Sequence, residues 1–444
     1  MSPHTLSDLQ RGALQGATRL DLSEGLTRLP RDVLRLADTL EVLNLSGNAL
    51  SDLPDWLCEL PHLKVLFCSD NRFTHVPEVV GACPTLRMVG FKSNAIRRVP
   101  ANCLPRRLRW LILTGNDIAE LPESLGERPD LEKLALAGNR LDRLPDSLAG
   151  APNLALMRLS ANAFTSWPDW LWQLPRLSWL ALAGNPATTA LEHRRRAERT
   201  LPRWAWADVR TEALLGEGAS GHIHRVRVGH GADAPAYALK VFKGALTSDG
   251  WPHSEMTAGV SVPAHPTVIG ACAVLEGHPD ARDGVFMPLV PASHVPLAGP
   301  PSLESCSRDV YPEGRRWLGA DVLRMAVDTA GALSHLHRHG WMHGDFYAHN
   351  LLWAPGQPVR LGDFGAATPF DPADGAMARR LACIEVRAWG LWLQEVLERV
   401  HPSEDIPADA RDRLHRLQRA CTGRVDKRPS WDDVRDALRE VSLP

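Results

Sequence analysis

None of the eight cysteines stands in a C-x-x-C pair or a tight cluster. That spacing argues against a disulfide framework or a zinc site, and for buried thiols in a reducing compartment. Net charge is also missing. The formal balance of −2 gives no general attraction to nucleic acid or to acidic membranes. The opening stretch, MSPHTLSDLQRGALQG, has no continuous apolar segment and does not read as a secretory signal. No apolar run is long enough to span a bilayer. These absences lead to the expectation of a soluble, cytoplasmic protein. Its richness in Arg, Ala, Gly, Pro and Trp suits a GC-rich bacterial genome. What the chain does have is length: 444 residues suffice for two or three domains with well-filled cores.

The first half repeats itself. LEVLNLSGNAL at Leu40 recurs from Leu63, Leu86, Leu108, Leu131, Leu154 and Leu177, in steps of 23 residues and once 22. The shared pattern is L-x-x-L-x-L-x-x-N-x-L, and each unit continues into a second apolar stretch with proline, such as LPDWLCEL. Seven occurrences at nearly one period indicate stacked coils. Within each coil a short strand alternates in and out, so Leu43 and Leu45, or Leu111 and Leu113, point inward. The asparagines at Asn48, Asn71, Asn94, Asn116, Asn139, Asn162 and Asn185 hold one offset. A column of them can satisfy the turn backbone of adjacent coils, which is a structural task and assigns them no chemistry.

On these residues the region, about 17–186, resembles the leucine-rich repeat family. A degenerate coil at TRLDLSEGLTRLP lacks the Asn and reads as N-terminal capping. The outward strand positions form two columns. One runs Val42, Val65, Met88, Trp110, Lys133, Leu156, Trp179, and the other Asn44, Phe67, Gly90, Ile112, Ala135, Arg158, Ala181. The stripe Val65, Phe67, Met88, Trp110, Ile112, Leu156 and Trp179 is greasier than a solvated face needs. It is expected to bind a protein partner or to be covered by another part of this chain. Arg194–Arg196 in the segment that follows reads as the solvated face of a capping helix.

The second half carries separate short motifs. Gly216, Gly218 and Gly221 form G-x-G-x-x-G, followed by Ile223. The context is strand, glycine turn, strand and strand, where glycines let backbone approach phosphates. Lys240 lies in the apolar strand YALKVFKG and needs a buried counter-charge, for which Glu255 in a plausible helix is the candidate. HGDFYAHN places His343, Asp345 and Asn350 in H-x-D-x-x-x-x-N, and LGDFGAA places Asp363 thirteen residues beyond. Asn350 and Asp363 offer oxygens to a hard cation such as Mg²⁺, while Asp345 can accept a hydroxyl proton.

Each motif alone has an ordinary structural explanation. All five in this order resemble the eukaryotic-type protein kinase family over about residues 206–442. The resemblance implies an ATP–Mg²⁺ phosphoryl transfer. It puts Lys240 on the phosphates, paired with Glu255, Asp345 as catalytic base, and Asn350 and Asp363 on the metal. It also makes Met287 the gatekeeper, with adenine bonded to the backbone of Pro288 and Val290. Several positions depart from the family pattern. Gly344 stands where arginine is usual and Tyr347 where serine/threonine kinases carry lysine. His349 could supply part of that missing charge. The segment after D-F-G is short and lacks A-P-E. Glu385 is either the acid of the following central helix or the A-P-E glutamate itself, which leaves the partner of Arg428 open. The expected fold is an α/β leucine-rich-repeat solenoid followed by a bilobal α+β protein-kinase-like domain. Its parts are an N-terminal cap (1–16), the solenoid with its capping segment (17–202) and the kinase-like domain (203–444), with lobes of about 206–290 and 291–442. The expected function is phosphorylation of Ser/Thr on a protein. The rivals are a pseudokinase scaffold and a small-molecule kinase of the aminoglycoside or choline type.

Overall fold

A computed structural model describes residues 4–231, 233–244, 246–401 and 406–441. Residues 1–3 and 442–444, the outer ends of the first and last expected domains, lie outside the described residues. The chain divides into two compact units, Met1–Arg176 and Leu177–Pro444.

The first unit opens with α1 (Leu6–Gln10), which starts at a Thr5–Asp8 capping box and buries Leu9. Seven parallel strands follow: β1 (Arg19–Asp21), β2 (Val42–Asn44), β3 (Val65–Phe67), β4 (Met88–Gly90), β5 (Trp110–Ile112), β6 (Lys133–Ala135) and β7 (Leu156–Arg158). They pair in register, so Leu43, Leu66, Val89, Leu111, Leu134 and Met157 form one fully buried row. The chain returns through short 3₁₀ turns that begin after prolines such as Pro54, Pro122 and Pro145. A residue with fixed φ and no N–H suits the entry to a helical turn. In one coil the return is instead a single α-turn, α2 (Val79–Ala82).

The asparagine column does the work expected of it. Asn116 donates to the carbonyls of Leu113 and Phe91 and accepts the N–H of Ile96. Asn139 and Asn162 repeat the arrangement one and two coils on.

The outward stripe is less exposed than its alternation suggests. Val65 and Met88 are 5% and 3% exposed. Phe67 lies over Gly90, where a Cβ would come within 2.8 Å of its ring, and Ile112 flanks the same spot. Neighbouring coils sit one strand spacing apart, so long side chains in one column cover each other. Leu156 is buried as well, while Phe67, Trp110 and Ile112 remain half-buried. Lys133 sits with its ammonium 4.5 Å from the Trp110 ring. The stripe is therefore narrower than its alternation suggests, and its accessible part is the half-buried set Phe67, Trp110 and Ile112.

The second unit begins earlier than the boundary expected near 203. It takes in β8 (Trp179–Ala181), the strand of the last repeat, and α3 (Pro186–Glu198). The last repeat asparagine, Asn185, forms a capping box with Thr188, and Pro186 opens the helix. A six-stranded sheet follows, in the order β10–β11–β12–β14–β13–β9. Its strands are β9 (Arg203–Ala205), β10 (Val209–Glu217), β11 (Gly221–Val228), β12 (Ala236–Phe242), β13 (Ala273–Glu276) and β14 (Gly284–Pro288). Helix α4 (Pro252–Ser261) packs beside this sheet, with Met256 and Val260 against Phe242 and Val285. The large lobe contains β15 (Val295–Pro296), α5 (Gly319–Arg338), β16 (Trp341–Met342), β17 (Leu351–Trp353), β18 (Arg360–Leu361) and β19 (Thr368–Pro369). It ends with α6 (Gly375–Leu397), α7 (Ala408–Thr422) and α8 (Trp431–Arg439). Trp341, Trp389 and Trp392 are buried in its core. Among the described residues no helix is long and apolar enough to cross a membrane.

Replacing Asn116 by Ala leaves the buried Ile96 N–H unpaired and takes one of two amide donors from each of the Phe91 and Leu113 carbonyls. The expected loss is about 2–3 kcal/mol of stability, read by denaturant unfolding. Asn153→Ala, on an exposed side chain, should cost less than about 0.5 kcal/mol. Equal losses for the two would contradict the structural role of the column.

Candidate functional site

Strands β10 and β11 are joined by the glycine turn, and this turn roofs a cleft of about 530 Å³. Gly216, Gly218, Gly221, Ile223, Lys240, Glu255, Met287, Asn350 and Asp363 all line it. The glycines have different reasons to be glycine. A Cβ on Gly216 or Gly218 would meet no atom within 4 Å, so their backbone faces open space. A Cβ on Gly221 would strike the Val241 carbonyl at 2.5 Å, so its bareness lets β11 close on β12. Lys240, on β12, forms an ion pair with Glu255 of α4. Their side chains are 12% and 7% exposed. Burial pushes the Glu255 carboxyl above its usual range, and the Lys240 charge works against that rise. Met287 lines the cleft beside Val285, whereas Pro288 and Val290 line a neighbouring cavity of about 430 Å³.

Across the cleft, HGDFYAHN follows β16 as a loop. His343 is fully buried. Its Nδ1 accepts the Asp345 N–H at 3.3 Å, so its Nε2–H donates to the Gly362 carbonyl at 2.9 Å. One imidazole thus joins the Asp345 loop to the segment carrying Asp363. Asn350 Nδ2 donates to the Asp345 carbonyl at 2.9 Å and to its carboxylate at 3.0 Å. With the amide nitrogen so engaged, the amide oxygen is the atom left to serve a cation. Asp363 sits at φ 58°, in the left-handed region that a short acidic side chain tolerates, and accepts the Gly365 N–H at 3.1 Å. A carboxylate and an amide oxygen fit Mg²⁺, which keeps waters and takes substrate phosphates to complete its shell. Among the described residues no group of three or more His, Cys, Asp and Glu is placed to hold a metal. A two-residue site of this kind does not need one.

Glu385 settles the alternative left open above. It lies on α6, is 1% exposed, and accepts the N–H groups of Gly344 and His343 at 2.8 and 3.2 Å. Its Oε2 also meets His337 Nε2 at 2.7 Å. It is therefore the central-helix acid that holds the loop. Arg428 is buried and donates to the carbonyls of Gly423 and Cys383, and its pKa is pushed down to about 10 by burial.

Three contributors escaped the motif reading. Asp309 accepts the N–H groups of Ala348 and His349 and pairs with His349 Nδ1 at 2.7 Å. Burial lowers the His349 pKa, but the Asp309 carboxylate outweighs it and the net shift is upward. His349, held by Asp309, thus lines the cleft near Tyr347. Asp249, in the loop before α4, lines the same cleft. Neither Asp309 nor Asp249 stands in a motif, and only folding brings them there.

The third is the last repeat. Trp179 is 3% exposed, its indole stacked on Tyr347 with centroids 4.4 Å apart and planes 5° apart. Its N–H donates to the Phe346 carbonyl at 2.9 Å. The Leu182 N–H donates to Thr368 Oγ1 at 3.0 Å, and Thr368 is 1% exposed. Thus the greasy position Trp179 is covered by another part of this chain. The same strand explains Gly344. At φ 75°, a Cβ there would lie 2.5 Å from the carbonyls of both Leu180 and Ala366. Restoring the family's arginine by Gly344→Arg should therefore lower Tm by about 4 °C or more, rather than improve the protein. An unchanged midpoint would show that the strand is not held against the loop as described.

Comparison with known proteins matches the two halves of the chain to different families. Residues 38–78 and 129–186 match leucine-rich repeat families, and residues 209–389 match the family described as protein tyrosine and serine/threonine kinase. A Xenopus laevis serine/threonine-protein kinase, mos, is 27% identical over 196 residues, covering 43% of this chain and 51% of that protein. A probable LIM domain-containing serine/threonine-protein kinase of Dictyostelium discoideum is 28% identical over 154 residues, or 27% of this chain and 16% of the other. The chain thus spans about half or less of the length of these relatives. A solved leucine-rich-repeat protein of Leptospira interrogans is 30% identical with a TM-score of 0.38, covering 43% of this chain and 48% of that one. The chain carries leucine-rich repeats, followed over residues 209–389 by a domain that matches the protein tyrosine and serine/threonine kinase family.

Proposed function

We propose that this protein transfers the γ-phosphoryl group of ATP, with Mg²⁺, to serine or threonine hydroxyls of a protein. The observation that carries the reading is that Lys240, Glu255, Asn350 and Asp363 line one cleft, with Asp345 bonded to Asn350 at its edge. Lys240, held by Glu255, would bind the nucleotide phosphates under the backbone of Gly216, Gly218 and Gly221. Met287 would flank the adenine, and the backbone of Pro288 and Val290 would bond to its edge. Asn350 and Asp363 would hold Mg²⁺, which when bound neutralises phosphate charge. Asp345 would orient the substrate hydroxyl and take its proton. A nucleotide-binding scaffold has no need of Asp345, and this favours an active enzyme over a pseudokinase. The repeats would supply protein binding through Phe67, Trp110 and Ile112, and the chain would act in the cytoplasm.

The test is phosphate transfer from labelled ATP and Mg²⁺ to the chain itself and to a generic protein such as casein. A kinase reading expects Asp345→Asn to lower turnover by about 10²–10⁴-fold with nucleotide affinity kept. Asp363→Asn should instead lose Mg²⁺-dependent nucleotide binding. Wild-type turnover by Asp345→Asn would remove the assignment. Nucleotide binding without transfer would favour the scaffold, and transfer only to an amino alcohol or aminoglycoside would favour a small-molecule kinase.

Activity should also be independent of phosphate on the segment after D-F-G. Thr368 is its one hydroxyl before Glu385, and that hydroxyl is buried and bonded to Leu182. Phosphatase-treated wild type should match untreated wild type within about twofold, since no group there awaits a phosphate. A large drop after phosphatase treatment would contradict this.

A further inference from the structure

We propose that α3, the helix closing the repeats, is a clamp that holds α4 in place, with Glu192 as a positioning residue for the Lys240–Glu255 pair. The proposal rests on the kinase reading, in which that pair must be formed for transfer.

Helix α4 is poorly equipped to hold itself. It has ten residues, no side-chain bond at its N-cap Trp251, and a glycine at 259. Helices this short are marginal unless packed. Met256 and Val260 pack one side of it on the sheet, and α3 supplies polar bonds on another. Glu192 is 6% exposed, and its Oε2 accepts the hydroxyl of Ser254 at 2.8 Å, one residue before Glu255. Its Oε1 accepts the Gly184 N–H at 2.6 Å and the Thr188 hydroxyl at 2.9 Å, so the carboxylate is itself held rigidly. Farther along, Arg196 meets His253 at 2.9 Å, and Arg199 donates to the carbonyls of Val260 and Val262 at the far end of α4. The helix is therefore gripped at both ends and beside its working residue.

The other side of α3 is fastened to the large lobe. Arg195 donates to the Phe370 carbonyl at 3.1 Å, and Arg194 lies 3.9 Å from Asp371. A Cβ on Gly340 would fall 2.2 Å from the Arg195 guanidinium, so that residue is bare where the arginine crosses. The arginine run expected to be solvated is thus partly spent on tying the two lobes together. A charge-assisted hydrogen bond inside a buried site is the strong kind. One from Ser254 to Glu192 fixes the rotation of α4, and with it the direction of Glu255.

The test uses the full chain and separates the link from the fold. Ser254→Ala removes the Glu192 bond to α4 but leaves Glu192 its bonds to Gly184 and Thr188, and leaves the Arg196 and Arg199 contacts in place. Amide exchange in residues 254–260 should speed up about tenfold, while α5 and α6 keep their protection. Turnover should fall by about tenfold with KM for the protein substrate unchanged, and Ser254→Thr, which keeps the hydroxyl, should restore both. Glu192→Ala should do the same more strongly. Unchanged exchange in α4 with wild-type turnover in Ser254→Ala would overturn the clamp. The exchange measurement decides this even if the wild type transfers no phosphate, an outcome that would count against the kinase reading alone.

Discussion

A Cβ at position 344 has nowhere to go, and much of the second unit is arranged around that fact. The Leu180 carbonyl of the last repeat strand and the Ala366 carbonyl both lie 2.5 Å from where it would be. Backbone from the repeats therefore lies directly against the loop that carries Asp345. A strand in that place leaves no room for an arginine to read a phosphate. The segment after Asp363 is correspondingly short. It is held by Thr368 against Leu182 and by Arg195 against the Phe370 carbonyl. What a longer loop could hold by reversible modification is held here by hydrogen bonds to other residues of the same chain.

The same economy shows in the buried charges. Each is held by a partner that also fixes geometry. Glu385 grips two backbone N–H groups of the loop and His337. Asp309 grips two more and His349. Glu192 spans α3 and α4, and Glu255 meets Lys240. Removing one member of such a set strands a charge in a medium that cannot solvate it, which is far costlier than never having buried either. The residues of the candidate site are thus held in place by buried carboxylates.

The repeats serve two ends that their sequence does not distinguish. Most coils use the outward strand positions to cover each other, as Phe67 covers Gly90. The last coil turns the same position, Trp179, into a stacking partner for Tyr347. Stacking an indole on a phenol with an N–H left for the Phe346 carbonyl joins apolar burial to a directed bond. That combination explains why the compact unit starts at Leu177 rather than after the helix that ends the repeats.

Period and motif order were enough for the sequence alone to determine the coil register, the inward leucines, the asparagine column and the sheet-then-helix order of the second half. These depend on local spacing, which backbone geometry turns directly into strands and turns. The residues around the cleft were legible for the same reason: Lys240, Glu255, Met287, Asn350 and Asp363 sit in short motifs, and all five line it. Only tertiary structure decided which outward side chains stay open, because exposure depends on neighbours a whole coil away. Only it resolved Glu385, whose two readings differ in what the carboxylate touches and not in where it stands in the chain. Asp309 and Glu192 were invisible to spacing, and so was the group that covers Trp179, because these contacts join residues 39, 62 and 167 positions apart. Contacts at such separations leave no periodic trace, and the compact packing of the folded chain alone creates them.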